Sequence, residues 1–147
     1  MLEKDIRSKV NIIDSIENWE KAIKLAAKPL LLDNSVTENY VRAMVNNVRK
    51  FGAYIVINDT IALAHSRPED GVMRNCLSLL KINEGVVFDE NLGDKVYLIF
   101  VLGAVSNRNH IDILLKLMEI IDNQYMVKRL IDATSIATLI EILQEVI

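Results

Sequence analysis

Two histidines, His65 and His110, are the side chains of this sequence best placed to do chemistry. His65 follows the apolar run Ile61-Ala62-Leu63-Ala64 and precedes the polar stretch Ser66-Arg67-Pro68-Glu69-Asp70-Gly71. His110 opens a helical pattern after a second apolar run, residues 96–102. In layered α/β proteins, ligands favour the crevice beyond the carboxyl ends of strands, where loops and helix N-termini converge. A neutral imidazole keeps one lone-pair nitrogen and is nucleophilic near neutral pH, which suits transient phosphoryl transfer. Such a transfer needs donors around the phosphoryl oxygens. The helix N-terminus at His110 would offer unpaired N–H groups and a positive dipole end, with Ser66 and Arg67 adding to the cradle. Pro68 would hold Arg67 extended and so fix the direction in which the chain leaves His65. By placement alone the ordinary alternative stays open, since a lone loop histidine is more often a surface or packing residue.

Other groups invite weaker readings. Cys76 lies in the apolar run CLSLLKI with no basic neighbour on the same face to lower its pKa, and reads as core. A metal site on His65 and His110, with Asp59, Glu69, Asp70 or Asp112 as carboxylate ligands, lacks any close ligand spacing. Glu69 and Asp70 read as solvated loop residues, Trp19 as a helix anchor, and Arg49 as a solvated helix-end arginine.

The elements that would position the histidines can be read from periodicity. Apolar residues at three- and four-residue spacing predict a helix over 16–32, capped by Ser15. A second is expected over 36–51, with Ser35-Val36-Thr37-Glu38 as a capping box, Tyr40, Ala43, Met44, Val48 and Phe51 inward, and Gly52 as its stop. Short apolar or β-branched runs at 54–57, 61–64, 76–82, 86–88 and 96–102 read as strands. The segment VYLIFVL is apolar throughout, as expected of a central strand covered on both faces. Helical spacing resumes over 110–122, with Ile111, Leu114, Leu115, Met118 and Ile121 expected in the core, and a last helix is expected over 135–146. Ile61, Leu63 and Val72 could form an apolar rim near His65 or belong to the core. Two leading helices, a sheet and two or three trailing helices make an α/β sandwich with the sheet in the middle.

Composition agrees with a globular protein. The 147 residues are 51% hydrophobic and 25% charged, with no repeat or low-complexity linker, so residues 1–147 read as a single domain. A net charge of −3 argues against a nucleic-acid partner, which calls for a basic stripe. A single cysteine precludes an intrachain disulfide and suits a reducing cytoplasm. The N-terminal MLEKDIRSKVN carries charges where a signal peptide needs an apolar stretch.

The stretch YIVINDTIALAHSRPEDGV, residues 54–72, resembles the active-site segment of the mannitol/fructose-class IIA components of the bacterial phosphoenolpyruvate-dependent sugar phosphotransferase system. Arg-Pro-Glu followed by Gly-Val is most like the ascorbate-type branch. VYLIFVLGAVSNRNHIDILLKLMEIIDN resembles the same family's strand, loop and second-histidine helix, and YVRAM its second helix. The resemblance implies a mixed β-sheet sandwiched between helices and a cytoplasmic phosphocarrier without metal or organic cofactor. His65 would accept the phosphoryl group on its tele nitrogen from the phosphorylated protein HPr and pass it to a IIB component, and so indirectly serve a membrane IIC transporter. His110 would orient or stabilise the phosphohistidine. Two positions depart from the family: Ala64 stands where proline is usual, and Asn58-Asp59-Thr60 replaces a Pro-Gly-like turn. Arg49 occupies a position where some mannitol-class members carry an arginine near the site. The competing expectation is a IIA-like regulatory module controlled by phosphorylation of the same histidine; a purely structural member is a third.

Overall fold

The computed structural model describes residues 6–147; residues 1–5 of the charged N-terminal stretch lie outside them. In chain order the elements are β1 (Val10–Ile13), α1 (Trp19–Leu32), α2 (Glu38–Phe51), β2 (Val56–Ile57), β3 (Ile61–Ala64), β4 (Cys76–Val87), β5 (Lys95–Gly103), α3 (Asn107–Ile121), α4 (Gln124–Asp132) and α5 (Ile136–Leu143). The strands form one mixed sheet in the order β1-β4-β5-β3-β2. β1 runs parallel to β4 and β3 parallel to β5, while β4–β5 and β2–β3 are antiparallel.

The central strand is the all-apolar one, as its composition requires. Val96, Ile99 and Val101 of β5 join a core with the inner faces of α1 and α2. Leu98, Phe100 and Leu102 join a second core with α3, α4 and α5 on the other side. From Leu98 onward, period-two alternation divides the residues of one strand between two hydrophobic layers, while Val96 falls out of that phase across the β4–β5 register shift. Among the described residues no helix is long and apolar enough to cross a membrane.

Several boundaries differ from the sequence expectations. α1 begins three residues later than the apolar spacing alone predicts, because Asn18 rather than Ser15 is the cap, its Oδ1 accepting the Lys21 N–H at 2.9 Å. Trp19 stacks on Phe88 with centroids 5.8 Å apart. At α2 the cap is Thr37, whose Oγ1 accepts the Tyr40 N–H, so no capping box runs from Ser35 to Glu38. Gly52 ends α2 at φ +85°, as expected. The run at 76–82 and the first two residues of the run at 86–88 belong to one strand, β4, interrupted by a bulge between Lys81 and Val86. Gly85 there has φ +72°, and a Cβ would stand 3.0 Å from Lys95 Cβ and the Tyr97 ring. β1 and α4 were not placed from the sequence. A four-residue strand interrupted by Asn11 carries too few alternations to register, and α4 buries just Met126, Val127 and Leu130, with Ile131 partly buried beside them.

Ser35 has a different task from capping. Its N–H donates to Asp33 Oδ1 at 3.0 Å and its Oγ accepts from Arg74 Nε at 3.1 Å. The Asp33 carboxylate also pairs with the buried Lys9 at 2.9 Å and with Arg74 at 3.4 Å. This cluster ties the edge strand β1 to the end of α1 and to the chain entering β4. Burial alone would raise the Asp33 pKa, but hydrogen bonds from Ser35 and Lys9 outweigh it and bring the pKa from 3.8 to about 2. A carboxyl whose pKa is depressed by folding stabilises the fold above its unfolded pKa, and that contribution fades as pH falls from about 4 to about 2. Asp33→Asn is therefore expected to lower the urea midpoint at pH 7, with the gap to the native protein closing as pH falls through that window. A gap of constant size at all pH values would show that the carboxylate charge is not what stabilises.

Candidate functional site

Because β3 and β5 are parallel neighbours, both chains leave the sheet at the same edge. β3 ends at Ala64 and delivers His65; β5 ends at Gly103 and leads through a short loop into α3, which carries His110. The two imidazoles lie with ring centroids 5.5 Å apart, tilted by 51°. Tyr54 presents its ring edge-on to His65, at 6.2 Å and 83°. Ala64, in place of the family's usual proline, is buried and paired with Val101, so the sheet ladder constrains the backbone next to the histidine. The Asn58-Asp59 turn that sets β2 against β3 has φ of +47° and +69°, conformations that Asn and Asp tolerate better than most residues.

His65 Nδ1 lies 2.8 Å from the Leu63 carbonyl oxygen. A carbonyl only accepts, so this contact requires a hydrogen on Nδ1 and leaves the lone pair on Nε2. His110 has its pKa lowered from 6.5, first by burial and second by the neighbouring His65, so it is neutral at neutral pH. Its amide is not one of the open helix donors: Ser106 caps α3, and the His110 N–H already bonds the Ser106 carbonyl at 2.9 Å. The open amides of that first turn are those of Asn107 and Arg108, with Asn109 bonded to Ser106 Oγ.

Around the histidines is a cleft of about 560 Å³ lined by Asn47, Lys50, Phe51, Tyr54, His65, Ser66, Arg67, Pro68, Asp70, Asn107 and His110. Arg67 lies at its mouth, extended before Pro68 as expected, with Nε 3.9 Å from Asp70 Oδ2. The Ser66 hydroxyl is committed, since it donates to Asp70 Oδ2 at 2.5 Å and accepts from Asn47 Nδ2 at 3.2 Å. Asp70 is thus part of the cleft rather than a solvated loop residue. Arg49 points elsewhere, 3.5 Å from Glu20 of α1, while Lys50 lines the cleft. Cys76 is buried core, its thiol pushed up to about 12 chiefly by that burial. Among the described residues no three His, Cys, Asp or Glu side chains cluster as a metal site would require.

Sequence reasoning missed Asn47, Lys50, Tyr54 and Asn107. The available signal was helical spacing, because Asn47 stands seven residues, two turns, after Tyr40 on α2. The phase of α3 also differs from expectation. Ile121 is buried and Leu114 and Met118 pack against the core as expected, but the other inward residues are Ile113, Leu117 and Ile120, while Ile111 and Leu115 are 55% and 62% exposed. Counting apolar residues on a helix that is apolar nearly all round cannot fix its rotation; the Ser106 cap and the line of β5 do. Ile61 and Leu63 are core residues and Val72 packs against the core, so the exposed apolar residues lining the cleft are instead Phe51 and Tyr54, while α3 exposes Ile111 and Leu115.

A family model for the phosphoenolpyruvate-dependent sugar phosphotransferase system, EIIA 2, matches residues 6–146. The chain belongs to this family. It is 29% identical over 136 residues to the mannitol-specific cryptic phosphotransferase enzyme IIA component of Escherichia coli, covering 92% of both chains. It is 31% identical over 94 residues to the ascorbate-specific PTS system EIIA component of the same organism, covering 64% of this chain and 61% of that one. The solution structure of the mannitol-specific cryptic IIA enzyme superposes with a TM-score of 0.91 at 28% identity, covering 99% of both chains. The IIA protein in a complex of mannitol IIA with phosphorylated mannitol IIB from Escherichia coli superposes with a TM-score of 0.80 at 25% identity, covering 94% of this chain and 95% of that one. Phosphoryl transfer is therefore the chemistry of this EIIA family, and the mixed sheet flanked by helices is its fold.

The electrostatic arrangement of the two imidazoles can be read by NMR titration. His110 is expected to titrate below 6.5, and His65→Ala should raise its midpoint only part of the way back, because burial is the larger cause. Full recovery to 6.5 would make the neighbouring ring the dominant cause instead.

Proposed function

We propose that this chain is a cytoplasmic phosphocarrier of the sugar phosphotransferase system, in which His65 Nε2 takes a phosphoryl group from phosphorylated HPr and hands it to a IIB component. The observation that supports this reading is the Nδ1 contact with the Leu63 carbonyl, which leaves the lone pair on Nε2, the tele nitrogen. The Nε2 lone pair forms the new P–N bond as the bond from phosphorus to the donor's histidine nitrogen breaks, and that nitrogen recovers the electron pair. The His65 ring becomes cationic in the process, and the Nδ1–H bond to Leu63 O strengthens with that charge. Onward transfer reverses these events towards the IIB acceptor. The step balances without metal or organic cofactor.

His110, neutral at working pH, supplies one N–H to a phosphoryl oxygen without adding a full charge that would trap the intermediate. Arg67 and Lys50 supply cationic charge from the cleft walls, and the Asn107 amide lies in the open first turn of α3. Ser66 reaches the phosphoryl group only by giving up its bond to Asp70, so its contribution through the hydroxyl is secondary to that of Arg67. HPr and IIB dock in turn on the exposed apolar side chains Phe51 and Tyr54 of the cleft and on Ile111, which follows His110 in α3. An apolar patch rimmed by polar residues suits transient association of small carriers. The solved complex of a relative with a IIB protein supports the second partner. Likeness to an ascorbate-specific component supports uptake of ascorbate or a related sugar through a membrane IIC transporter as the pathway served.

Intact mass after incubation with phosphoenolpyruvate, enzyme I and HPr tests the reading. An acid-labile gain of about 80 Da is expected in the native protein and in His110→Ala but not in His65→Ala. Onward transfer to IIB should slow by about ten- to a hundred-fold in His110→Ala. A native protein that stays unmodified beside a competent donor, or a His65→Ala variant that still gains the mass, would overturn the assignment.

A further inference from the structure

Tyr40 is fully buried in the first turn of α2, with its own N–H held by the Thr37 cap. Its phenol oxygen accepts the Ser66 N–H at 2.9 Å and lies 2.6 Å from the Leu102 carbonyl and 3.3 Å from the Ser66 carbonyl. A phenol has a single hydrogen, and the shorter contact takes it, so the hydroxyl donates to Leu102 and accepts from Ser66. Burial raises the Tyr40 pKa and keeps that hydrogen in place.

The position of this oxygen in the sheet is informative. The register of β3 against β5 ends at Ala64 opposite Val101. In a parallel ladder, alternate residues of one strand send their N–H to the carbonyl just before their partner. Continued one step, Ser66 would face Gly103 and its N–H would bond the Leu102 carbonyl. Those are the two groups that the Tyr40 hydroxyl stands between. A helix side chain has been inserted into the ladder at the step where the two strands part.

We propose that Tyr40 is a positioning residue for the phosphoryl-transfer site, wedging β3 and β5 apart and pinning the backbone on the far side of His65. The proposal rests on the reading of His65 as phosphoryl acceptor. His65 is the single residue between Ala64, fixed by the ladder, and Ser66, fixed by the phenol. With both neighbours held, the ring can keep Nδ1 on the Leu63 carbonyl and Nε2 available. Asn47, two turns on along the same helix, holds the Ser66 hydroxyl. Without the Tyr40 oxygen, the Ser66 N–H and the Leu102 carbonyl either pair directly, drawing the loop into the sheet, or remain unpaired in a buried place. Both outcomes shift His65.

Tyr40→Phe removes the oxygen and keeps the ring. With 15N-labelled histidine, His65 of the native protein should show one neutral tautomer with hydrogen on Nδ1, and the variant a mixture. Transfer from phosphorylated HPr should fall about ten- to a hundred-fold in kcat with KM for the donor changed less than about twofold, because the loss is of alignment rather than of docking. In the native protein the Ser66 amide should exchange with solvent as slowly as the core amides of β5. A folded variant with native tautomer and native kcat would overturn the proposal, and so would a Ser66 amide that exchanges at loop rates. Should Tyr40→Phe fail to fold, the exchange measurement on the native protein decides. If the native protein accepts no phosphate, the acceptor reading falls while tautomer and exchange still judge the positioning role.

Discussion

Parallel pairing between β3 and β5 is the constraint on which the site depends. Two parallel neighbours release their chains at the same sheet edge, so a residue just past β3 and another just past β5 meet without any long loop having to be ordered. Had β3 been reversed, His65 would leave at the opposite edge, a strand length from His110. The hydrophobic character of β5 is the underlying cause, because a strand apolar at every position is stable only in the middle, with helices on both faces. Core formation and site formation are thus one event: burying Val101 and Leu102 on opposite sides of the sheet also fixes where α3 begins.

The chemistry follows from how few charges the site fixes near the imidazoles. His110 is neutral because it is partly buried and faces another imidazole. Its neighbours in the cleft include two cations, Lys50 and Arg67, and one carboxylate, Asp70, which is tied down by Ser66 and within 3.9 Å of Arg67. A carrier must hold a phosphoryl group and then release it, so a strongly attractive cradle would be a defect. Donors without full charge beside His65, with cations at the walls, would meet both demands.

The two histidines, the strand runs of β3 and β5 and the stop at Gly52 were legible because each is written in local residue types. The tautomer of His65 was not legible, since it depends on a carbonyl two residues back that only a particular backbone turn brings within reach. Asn47 and Tyr54 were invisible for a related reason: they come from other elements, and only the packing of α2 and its following loop against the sheet brings them to the cleft. Arg49 and Lys50 make the point at one-residue resolution. A turn of about 100° between neighbours on a helix sends one to Glu20 and the other to the cleft. The capping expectation at Ser35 failed because residue type was right while Asp33 and Arg74 competed for the same side chain and backbone.

The sheet keeps its two apolar layers apart, and this has an evolutionary side. α2, which grips the loop after His65, belongs to one layer; α3, which carries the exposed Ile111 and Leu115, belongs to the other. Changes at well-separated positions with no shared partners tend to add rather than interfere. The surface of α3 is therefore free to diverge while the backbone frame of His65 is inherited unchanged. Lineages of such carriers could diversify in whom they serve without relearning how to hold a phosphoryl group.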